Sequence, residues 1–262
     1  MSALETLILG IIQGLTEFLP VSSSGHLEIV KAIFGSDYDQ QQGLLITITL
    51  HSATAFSTIF VFRKEIALIL TDLLQFKKGE SFDFSSKILL SMIPAVIIGL
   101  FFEDFIASLF KDKIALVGGM LFITALLLYF ADQVNQNNKE FNYENSFYIG
   151  IIQAIAILPG ISRSGATIAL ALMLKIDRDK AARFSFLMVI PLILGSMVKS
   201  ITDGSLSEEN TALFPLMIGF VSAFMTGVFA CRWMVALVKK SQLKYFSFYC
   251  ILVGILAILL SL

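Results

Sequence analysis

Charged residues are scarce in this sequence of 262 residues. They make up 15% of the chain, whereas about a quarter is usual in soluble domains. Hydrophobic residues account for 56%, and the mean hydropathy is +0.83. So few charges cannot cover the surface of a water-soluble protein of this size. The composition therefore excludes an ordinary soluble domain and predicts a polytopic membrane protein in which residues 1–262 form a single domain.

The sequence is also poor in cysteine, and it lacks an excess of charge of one sign and a basic N-terminus. The two cysteines, Cys231 and Cys250, lie in apolar stretches, which argues against a disulfide framework or a thiolate metal cluster. The formal net charge of -1 leaves no basic excess, so no nucleic-acid partner is predicted. No lysine or arginine precedes Lys31, and Glu5 lies near the start, so a secretory signal peptide is not expected.

Long apolar runs are what the sequence does contain. A helix needs about 20 apolar residues to cross a bilayer. Six stretches approach this length and are predicted as transmembrane helices, at roughly 43–62, 88–102, 114–131, 184–198, 212–231 and 245–262. Two further apolar segments, 3–34 and 146–174, are interrupted midway by Pro, Ser and Gly, which end one helix and cap the next. Each is predicted to be a re-entrant helical hairpin, so the expected fold class is all-α integral membrane.

The positive charges predict an orientation for these helices. If the six spans cross and the two hairpins do not, one side of the membrane receives 14 lysines and arginines and the other receives 4. The rich side comprises segments 63–87, 132–145, 175–183 and 232–244. Because cytoplasmic loops carry the excess of Lys and Arg, this side is predicted to be cytoplasmic and both termini to be outside. If either hairpin crossed the membrane fully, the lysines and arginines would no longer be concentrated on one side.

The two hairpins are related by an internal repeat. With an offset of 140 residues, segments 10–25 and 150–165 align with seven identities in sixteen positions. Each half, about 1–131 and about 146–262, then contains one hairpin and three spans. Because three spans are an odd number, the second half is inverted in the membrane. An inverted-topology repeat with broken helices places the two breaks together near the midplane.

The two hairpins differ in their chemistry. Glu17, Ser23 and His26 have no counterparts in the second hairpin, which contributes Arg163 at the position of Ser23. Gln13 precedes Glu17 by one helical turn, so both side chains project from one face toward the break. A carboxylate in an apolar segment costs about 2.5 to 3.5 kcal/mol and is normally there for function. One asymmetric site shared by both hairpins is therefore predicted.

The start of each returning helix is suited to an anion. A helix N-terminus with free amides and small residues binds phosphate. Two such ends converging with an arginine favour a diphosphate, because a guanidinium holds two phosphate oxygens at once. N-capping and close helix packing explain the serines and glycines equally well, but not an arginine in the break. The candidate substrate-binding residues are Gln13, Ser22, Ser24, Gly25, Ser162, Ser164, Gly165 and Thr167.

Three motifs carry a resemblance to a known family. They are Gln13-x-x-x-Glu17, the segment PVSSSGH at 20–26 and the segment PGISRSGAT at 159–167. The sequence resembles the bacterial undecaprenyl-diphosphate phosphatases, the bacitracin-resistance membrane family, over essentially its whole length. Many members of that family have Glu where this chain has Gln13.

The resemblance implies a hydrolase of the bacterial plasma membrane that converts undecaprenyl diphosphate to the monophosphate and inorganic phosphate, which supplies the lipid carrier of cell-wall synthesis. It implies catalytic roles for Glu17, Ser23, His26 and Arg163, and a site that opens on the outer face of the membrane. It also implies a divalent cation, Mg2+ or Ca2+, near Glu17 as the metal-binding carboxylate.

The assignment of roles stays open at the level of sequence. Ser23, His26 or a water molecule is the nucleophile, and His26 or Glu17 handles the proton. His51, in the span 43–62, is interpreted as a packing or supporting residue. The sequence does not decide between a monomer and a homodimer.

A transporter is the main alternative function. Inverted repeats with helices broken at the midplane are also the architecture of secondary transporters, and a lipid flippase would use the same anion site. The combination of Glu17, Ser23, His26 and Arg163 favours the phosphatase, because an anion carrier needs no nucleophile and base.

Overall fold

Helices form nearly all of the computed structural model, which describes residues 2–34, 40–76, 79–110, 113–135, 139–202, 213–240 and 242–261. In these residues the chain forms α1 (Ala3–Phe18), α2 (Ser23–Phe34), α3 (Gln40–Val61), α4 (Arg63–Leu74), α5 (Glu80–Phe101), α6 (Glu103–Phe110), α7 (Ile114–Gln133), α8 (Tyr143–Ile155), α9 (Arg163–Met173), α10 (Arg178–Thr202), α11 (Leu213–Lys239) and α12 (Leu243–Leu260). Lys77, Lys78 and Lys111 of the charge count, and the ends 212 and 262 of two predicted spans, lie outside the described residues.

Six of these helices are long and apolar enough to cross a membrane, namely α3, α5, α7, α10, α11 and α12. This confirms the predicted all-α membrane architecture with six spans. Several of the helices are longer than the apolar stretches that predicted them: α5 begins at Glu80 and α11 continues to Lys239. Charged residues at these ends continue the helix beyond the apolar part. The segments predicted as connections also contain two short helices, α4 and α6.

The two interrupted segments fold as helix pairs that break where the sequence predicted. Helix α1 starts with a capping box, in which Ser2 accepts from the backbone of Glu5 and Glu5 accepts from the backbone of Ser2. It ends at Phe18, and α2 begins at Ser23. In the second pair, α8 and α9 are separated by residues 156–162. The re-entrant placement of the two pairs in a membrane remains a prediction.

The packing of the helices follows the internal repeat. Helix α1 packs along α11, and α8 packs along α5. The offset of 140 residues relates α1 to α8, while α5 and α11 are the middle spans of their halves. The first spans of the halves, α3 and α10, contact each other, and so do the last spans, α7 and α12. Each hairpin therefore packs against the middle span of the opposite half.

Glycine permits the closest of these helix contacts. A Cβ atom added at Gly10 would lie 2.5 Å from the carbonyl oxygen of Gly219 in α11. At Gly150, which aligns with Gly10, an added Cβ would lie 2.5 Å from the carbonyl oxygen of Ser91 in α5. Small residues let helix backbones approach in membrane proteins. The repeated Gly-Ile-Ile-Gln segment thus has the same packing role in both hairpins.

The contact between α7 and α12 provides a test of this packing. A Cβ atom added at Gly118 would lie 2.7 Å from the carbonyl oxygen of Gly254, whereas one added at Gly119 would meet nothing within 4 Å. We expect Gly118→Ala to destabilise the fold by about 1 to 3 kcal/mol, because two backbones must separate. Gly119→Ala, the matched control, should be neutral or stabilising by up to about 1 kcal/mol. Thermal unfolding in detergent measures both, and equal midpoints would contradict this packing.

Candidate functional site

The two helix breaks lie directly against each other. A Cβ atom added at Gly25 would lie 3.3 Å from the Cα atom of Gly160, and one added at Gly165 would lie 3.1 Å from the Cβ atom of Pro20. The offset of 140 residues relates Gly25 to Gly165 and Pro20 to Gly160. The two contacts are therefore the same contact made twice, and they bring the N-termini of α2 and α9 together.

Serine hydroxyls hold the first turn of both returning helices. The Ser22 hydroxyl accepts from the Gly25 amide at 3.3 Å, and the Ser162 hydroxyl accepts from the Gly165 amide at 3.1 Å. Ser22 has a φ of 69°, a left-handed conformation that is uncommon for a residue other than glycine. Such strain persists only where the surrounding structure enforces it, and it clusters at functional sites.

The carboxylate of Glu17 is the centre of the site. Its Oε2 atom accepts from the Ser23 hydroxyl at 2.7 Å and from Nε2 of Gln13 at 2.9 Å. Its Oε1 atom forms an ion pair with the guanidinium group of Arg163. Glu17 and Arg163 belong to different halves of the repeat, so the shared asymmetric site is assembled across the contact between the hairpins.

The Glu17 carboxylate and its glutamine partner are withdrawn from solvent, while Ser23 and Arg163 are partly exposed. Gln13 has no exposed surface, and Glu17 is 7% exposed. A buried carboxylate is stable only when it is paired and hydrogen-bonded, and Arg163, Ser23 and Gln13 provide these partners. A serine hydroxyl that donates to a carboxylate is also the arrangement of a nucleophile with its base. The geometry can therefore activate Ser23 next to a guanidinium that binds anions.

His51 also faces this cluster. Its Nδ1 atom donates to the carbonyl oxygen of Thr47 at 2.8 Å, and its Nε2 atom lies 3.7 Å from Oε2 of Glu17. The sequence identified His51 as a packing or supporting residue, but its proximity to Glu17 could not be predicted. The only sequence signal was the set of polar residues near His51 in α3, which indicates that this helix lines a polar site.

His26 is held by a tyrosine from the other half of the protein. Its Nδ1 atom donates to the carbonyl oxygen of Ser22 at 2.8 Å, so in the neutral ring Nε2 is an acceptor. The Tyr249 hydroxyl lies 2.8 Å from Nε2, and the two rings are parallel within 4°. Within the described residues, His26 makes no hydrogen bond to Glu17 or Ser23. Sequence analysis missed Tyr249, which lies in the apolar run of α12.

Tyr249 is expected to position His26. We expect Tyr249→Phe to lower kcat about three- to tenfold, because His26 would lose one neutral hydrogen bond of about 0.5 to 1.5 kcal/mol. His26 in turn holds the Ser22 carbonyl oxygen beside the candidate nucleophile, Ser23. Tyr245→Phe, on the exposed surface of the same helix, is the control and should retain full activity. Steady-state kinetics over a range of pH tests this. An unchanged profile for Tyr249→Phe would show that the tyrosine only packs against His26.

Most of the remaining predicted ligands lie at the two breaks. The Ser24 hydroxyl is 3.3 Å from that of Ser22, and the Ser164 hydroxyl is 3.4 Å from that of Ser162. The Thr167 hydroxyl points to α10 instead, where it lies 2.7 Å from the Ser185 hydroxyl. The structure thus brings Gln13, Glu17, Ser23 and Arg163 together at one point, while Thr167 is engaged elsewhere.

The side-chain oxygen atoms of Glu17 and Gln13 fit a divalent cation that also binds the phosphates of a substrate. The Oε1 atom of Gln13 is buried and has no hydrogen-bond partner within the described part of the chain. Those residues contain no group of three His, Cys, Asp or Glu side chains that could bind a metal alone. Mg2+ is commonly bound by one or two carboxylates together with substrate phosphates. Gln13 and Glu17 could supply the protein's share of such a site.

The comparisons with known proteins all indicate the same family. A family model described as bacitracin resistance protein BacA matches residues 6–256. A protein of Christiangramia forsetii named undecaprenyl-diphosphatase is 53% identical over 261 residues, which cover 100% of this chain and 99% of that protein. Proteins of the same name from Bacteroides fragilis and Halothermothrix orenii are 45% and 38% identical. These matches cover 98% and 100% of this chain, and 97% and 99% of the relatives.

Proposed function

The chain belongs to the bacitracin resistance protein BacA family, and we propose that it is a membrane phosphatase that hydrolyses undecaprenyl diphosphate to undecaprenyl phosphate and inorganic phosphate. The full-length relatives named undecaprenyl-diphosphatase support this activity. The observation that carries the proposal is the Glu17 carboxylate, which binds the hydroxyl of Ser23 and the guanidinium group of Arg163 at the same time. A nucleophile, a base and an anion-binding group are thereby joined in one cluster around a buried carboxylate.

The reaction begins with attack on the terminal phosphorus. The Ser23 oxygen forms a bond to this phosphorus, its proton passes to Glu17, and the anhydride bond breaks to release undecaprenyl phosphate. Glu17 is the base because it already accepts from the Ser23 hydroxyl at 2.7 Å, whereas Nε2 of His26 is engaged by Tyr249. Water then attacks the phosphorus of the phosphoserine, and the bond from phosphorus to the Ser23 oxygen breaks. The Ser23 oxygen takes its proton back from Glu17, and inorganic phosphate is released.

Arg163 and the helix N-termini stabilise the transferred group. Phosphoryl transfer depends mainly on positioning and on neutralising the charge of the phosphoryl oxygens. Proton transfer to Glu17 removes its negative charge and weakens its ion pair with Arg163. The guanidinium group then becomes available to the phosphoryl oxygens at the moment of attack. The starts of α2 and α9 lie close together, and the positive ends of both helices would favour negative charge there.

A divalent cation, Mg2+ or Ca2+, is proposed as the cofactor. It would be held by Glu17 and by Oε1 of Gln13, the atom without a protein partner, together with diphosphate oxygens. When bound, such an ion supplies positive charge that neutralises the diphosphate.

Phosphate release tests the proposed function. Protein purified in detergent and given a polyprenyl diphosphate should release inorganic phosphate, and Glu17→Gln should remove this release, because the amide cannot take the proton of Ser23. Glu28→Gln in α2 is the control, since Glu28 pairs with Lys31 outside the cluster. Tight binding of the lipid without phosphate release would favour the transporter or flippase.

The orientation in the membrane follows from the charge partition and is part of the proposal. The charge partition supports a position of both termini on the outer side of the membrane. The family resemblance supports the bacterial plasma membrane as the location and a site that opens on the outer face. In a variant lacking Cys231 and Cys250, a cysteine at Lys113 should react with an impermeant reagent in intact cells. A cysteine at Lys240 should react only after the membrane is opened. Labelling of the second cysteine in intact cells would contradict this orientation.

A further inference from the structure

A cavity lies apart from the Glu17 cluster. Its volume is about 390 Å³, and it is bordered by the junction of α3 and α4, the start of α10 and the end of α11. Five cationic side chains line it, and we call it the basic pocket: Arg63, Lys64, Arg183, Arg232 and Lys239. Two carboxylates, Glu65 and Asp179, also line it. The pocket therefore has a net positive charge, and it contains none of the residues of the Glu17 cluster.

The carboxylates neutralise only one part of the basic pocket. Asp179 pairs with Arg183 at 3.0 Å and with Lys239 at 2.8 Å, and Glu65 lies 3.7 Å from Arg183. Within the described residues, Arg63, Lys64 and Arg232 have no carboxylate within ion-pair distance. These three cations of the pocket lining are thus left for an external anion.

Two of these cations are held in place by an aromatic ring. Nη1 of Arg63 donates to the carbonyl oxygen of Phe60 at 2.9 Å, and its guanidinium carbon lies 4.9 Å from the Phe60 ring centroid. The guanidinium carbon of Arg232 lies 6.0 Å from the same centroid. Guanidinium groups bind phosphate through paired N–H donors. Two of them beside one ring can bind a phosphate group together.

An apolar surface continues from the pocket along α3 and α11. Phe56 packs on Phe220 and Phe60 packs on Phe224, so aromatic rings bridge the two helices. Phe56 and Phe60 are each 43% exposed. Both helices are long and apolar enough to cross a membrane, so this surface faces hydrocarbon. A molecule bound in the basic pocket can therefore extend acyl chains along the aromatic rings.

We propose that the basic pocket binds the head group of an acidic phospholipid, with its phosphate on Arg63 and Arg232 and its acyl chains along α3 and α11. The cations can bind the phosphate group of a lipid or free phosphate. The adjoining apolar surface favours the lipid, because only the lipid has acyl chains to pack on it. Basic pockets between helices on the side rich in lysine and arginine are suited to anionic head groups. This lipid is a ligand of the protein and not its substrate.

Native mass spectrometry of the purified full-length protein tests this proposal. Phosphatidylglycerol should bind and phosphatidylcholine should bind at least about tenfold more weakly, since the latter has no net charge. The double variant Arg63→Gln/Arg232→Gln should lower the affinity for phosphatidylglycerol roughly thirtyfold, because each of the two basic residues near the head group contributes on the order of 1 kcal/mol. Inorganic phosphate at millimolar concentration should not displace the lipid.

The matched control is the double variant Lys240→Gln/Lys244→Gln. It removes the same charge from the same end of the helices, but both lysines lie outside the pocket. Its affinity for phosphatidylglycerol should stay within about twofold of the parent protein. Equal losses in the two double variants would show non-specific attraction and overturn the proposal. Displacement by inorganic phosphate would overturn it as well, because the ligand would then be the free anion.

Discussion

Replacing Ser23 by alanine is expected to lower kcat by at least about a thousandfold, the scale seen when a nucleophile is removed from its activating partners. The change removes the hydroxyl that donates to Glu17 at 2.7 Å. It leaves Arg163 and both helix N-termini in place, so the affinity for the lipid diphosphate should change by no more than about tenfold. Initial rates of phosphate release and direct binding of the substrate separate the two effects.

Ser52→Ala is the control for this experiment. Ser52 is buried in α3, and its hydroxyl donates to the carbonyl oxygen of Ile48 in its own helix, at 2.7 Å. The Ser52 variant shows whether loss of a serine hydroxyl by itself impairs the fold. Its activity should be retained. If Ser23→Ala kept more than about a tenth of the parent rate, water would be the nucleophile, and Ser23 would be a ligand of the phosphate.

Arg163→Lys should lower kcat by about 10² to 10³, although the positive charge is kept. A planar guanidinium can bind Glu17 and then two phosphoryl oxygens, whereas an ammonium group cannot match that geometry. Removal of one electrostatic donor from a transition state commonly costs this much. Phosphate release at saturating substrate measures the effect.

Arg178→Lys is the matched control for Arg163→Lys. Arg178 also begins a helix, α10. Its guanidinium group lies 3.9 Å from the carboxylate of Asp132, which is distant from Arg178 in the sequence, as Glu17 is from Arg163. The same substitution there should leave turnover within about twofold. Near-native turnover in Arg163→Lys would show that Arg163 serves only to neutralise Glu17.

Local pattern was sufficient to predict the helix breaks and the residues beside them. Proline, serine and glycine near residues 20 and 160 interrupt apolar helices for reasons that act within a few residues. Glu17 and Arg163 are conspicuous because charge is costly in apolar segments. The aligned breaks also implied that the two hairpins share one site, and the ion pair between these residues joins the hairpins.

Contacts that depend on helix rotation could not be predicted. Tyr249 is 223 residues from His26 in the sequence and lies in an apolar run, and nothing in that run marks its hydroxyl as a partner for an imidazole. The same holds for His51, because the direction of its side chain depends on how α3 packs against α10 and α11.

Helices outside the apolar stretches were also missed. Helix α4 (Arg63–Leu74) carries charged residues at its start and exposes leucines such as Leu68 and Leu70. Such a mixture has neither the length nor the hydrophobicity of a span, so the sequence assigned it to a connection. Its position only becomes informative in the structure, where its first residues line the basic pocket.

Rapid-quench trapping of a phosphoenzyme identifies the nucleophile. The substrate is labelled on its terminal phosphate, mixed with the purified protein and quenched within one turnover. Attack by Ser23, which Glu17 activates at 2.7 Å, predicts an acid-stable label on Ser23 that disappears in Ser23→Ala. An acid-labile and base-stable label on His26, or no labelled protein at any time while phosphate is released, would contradict it.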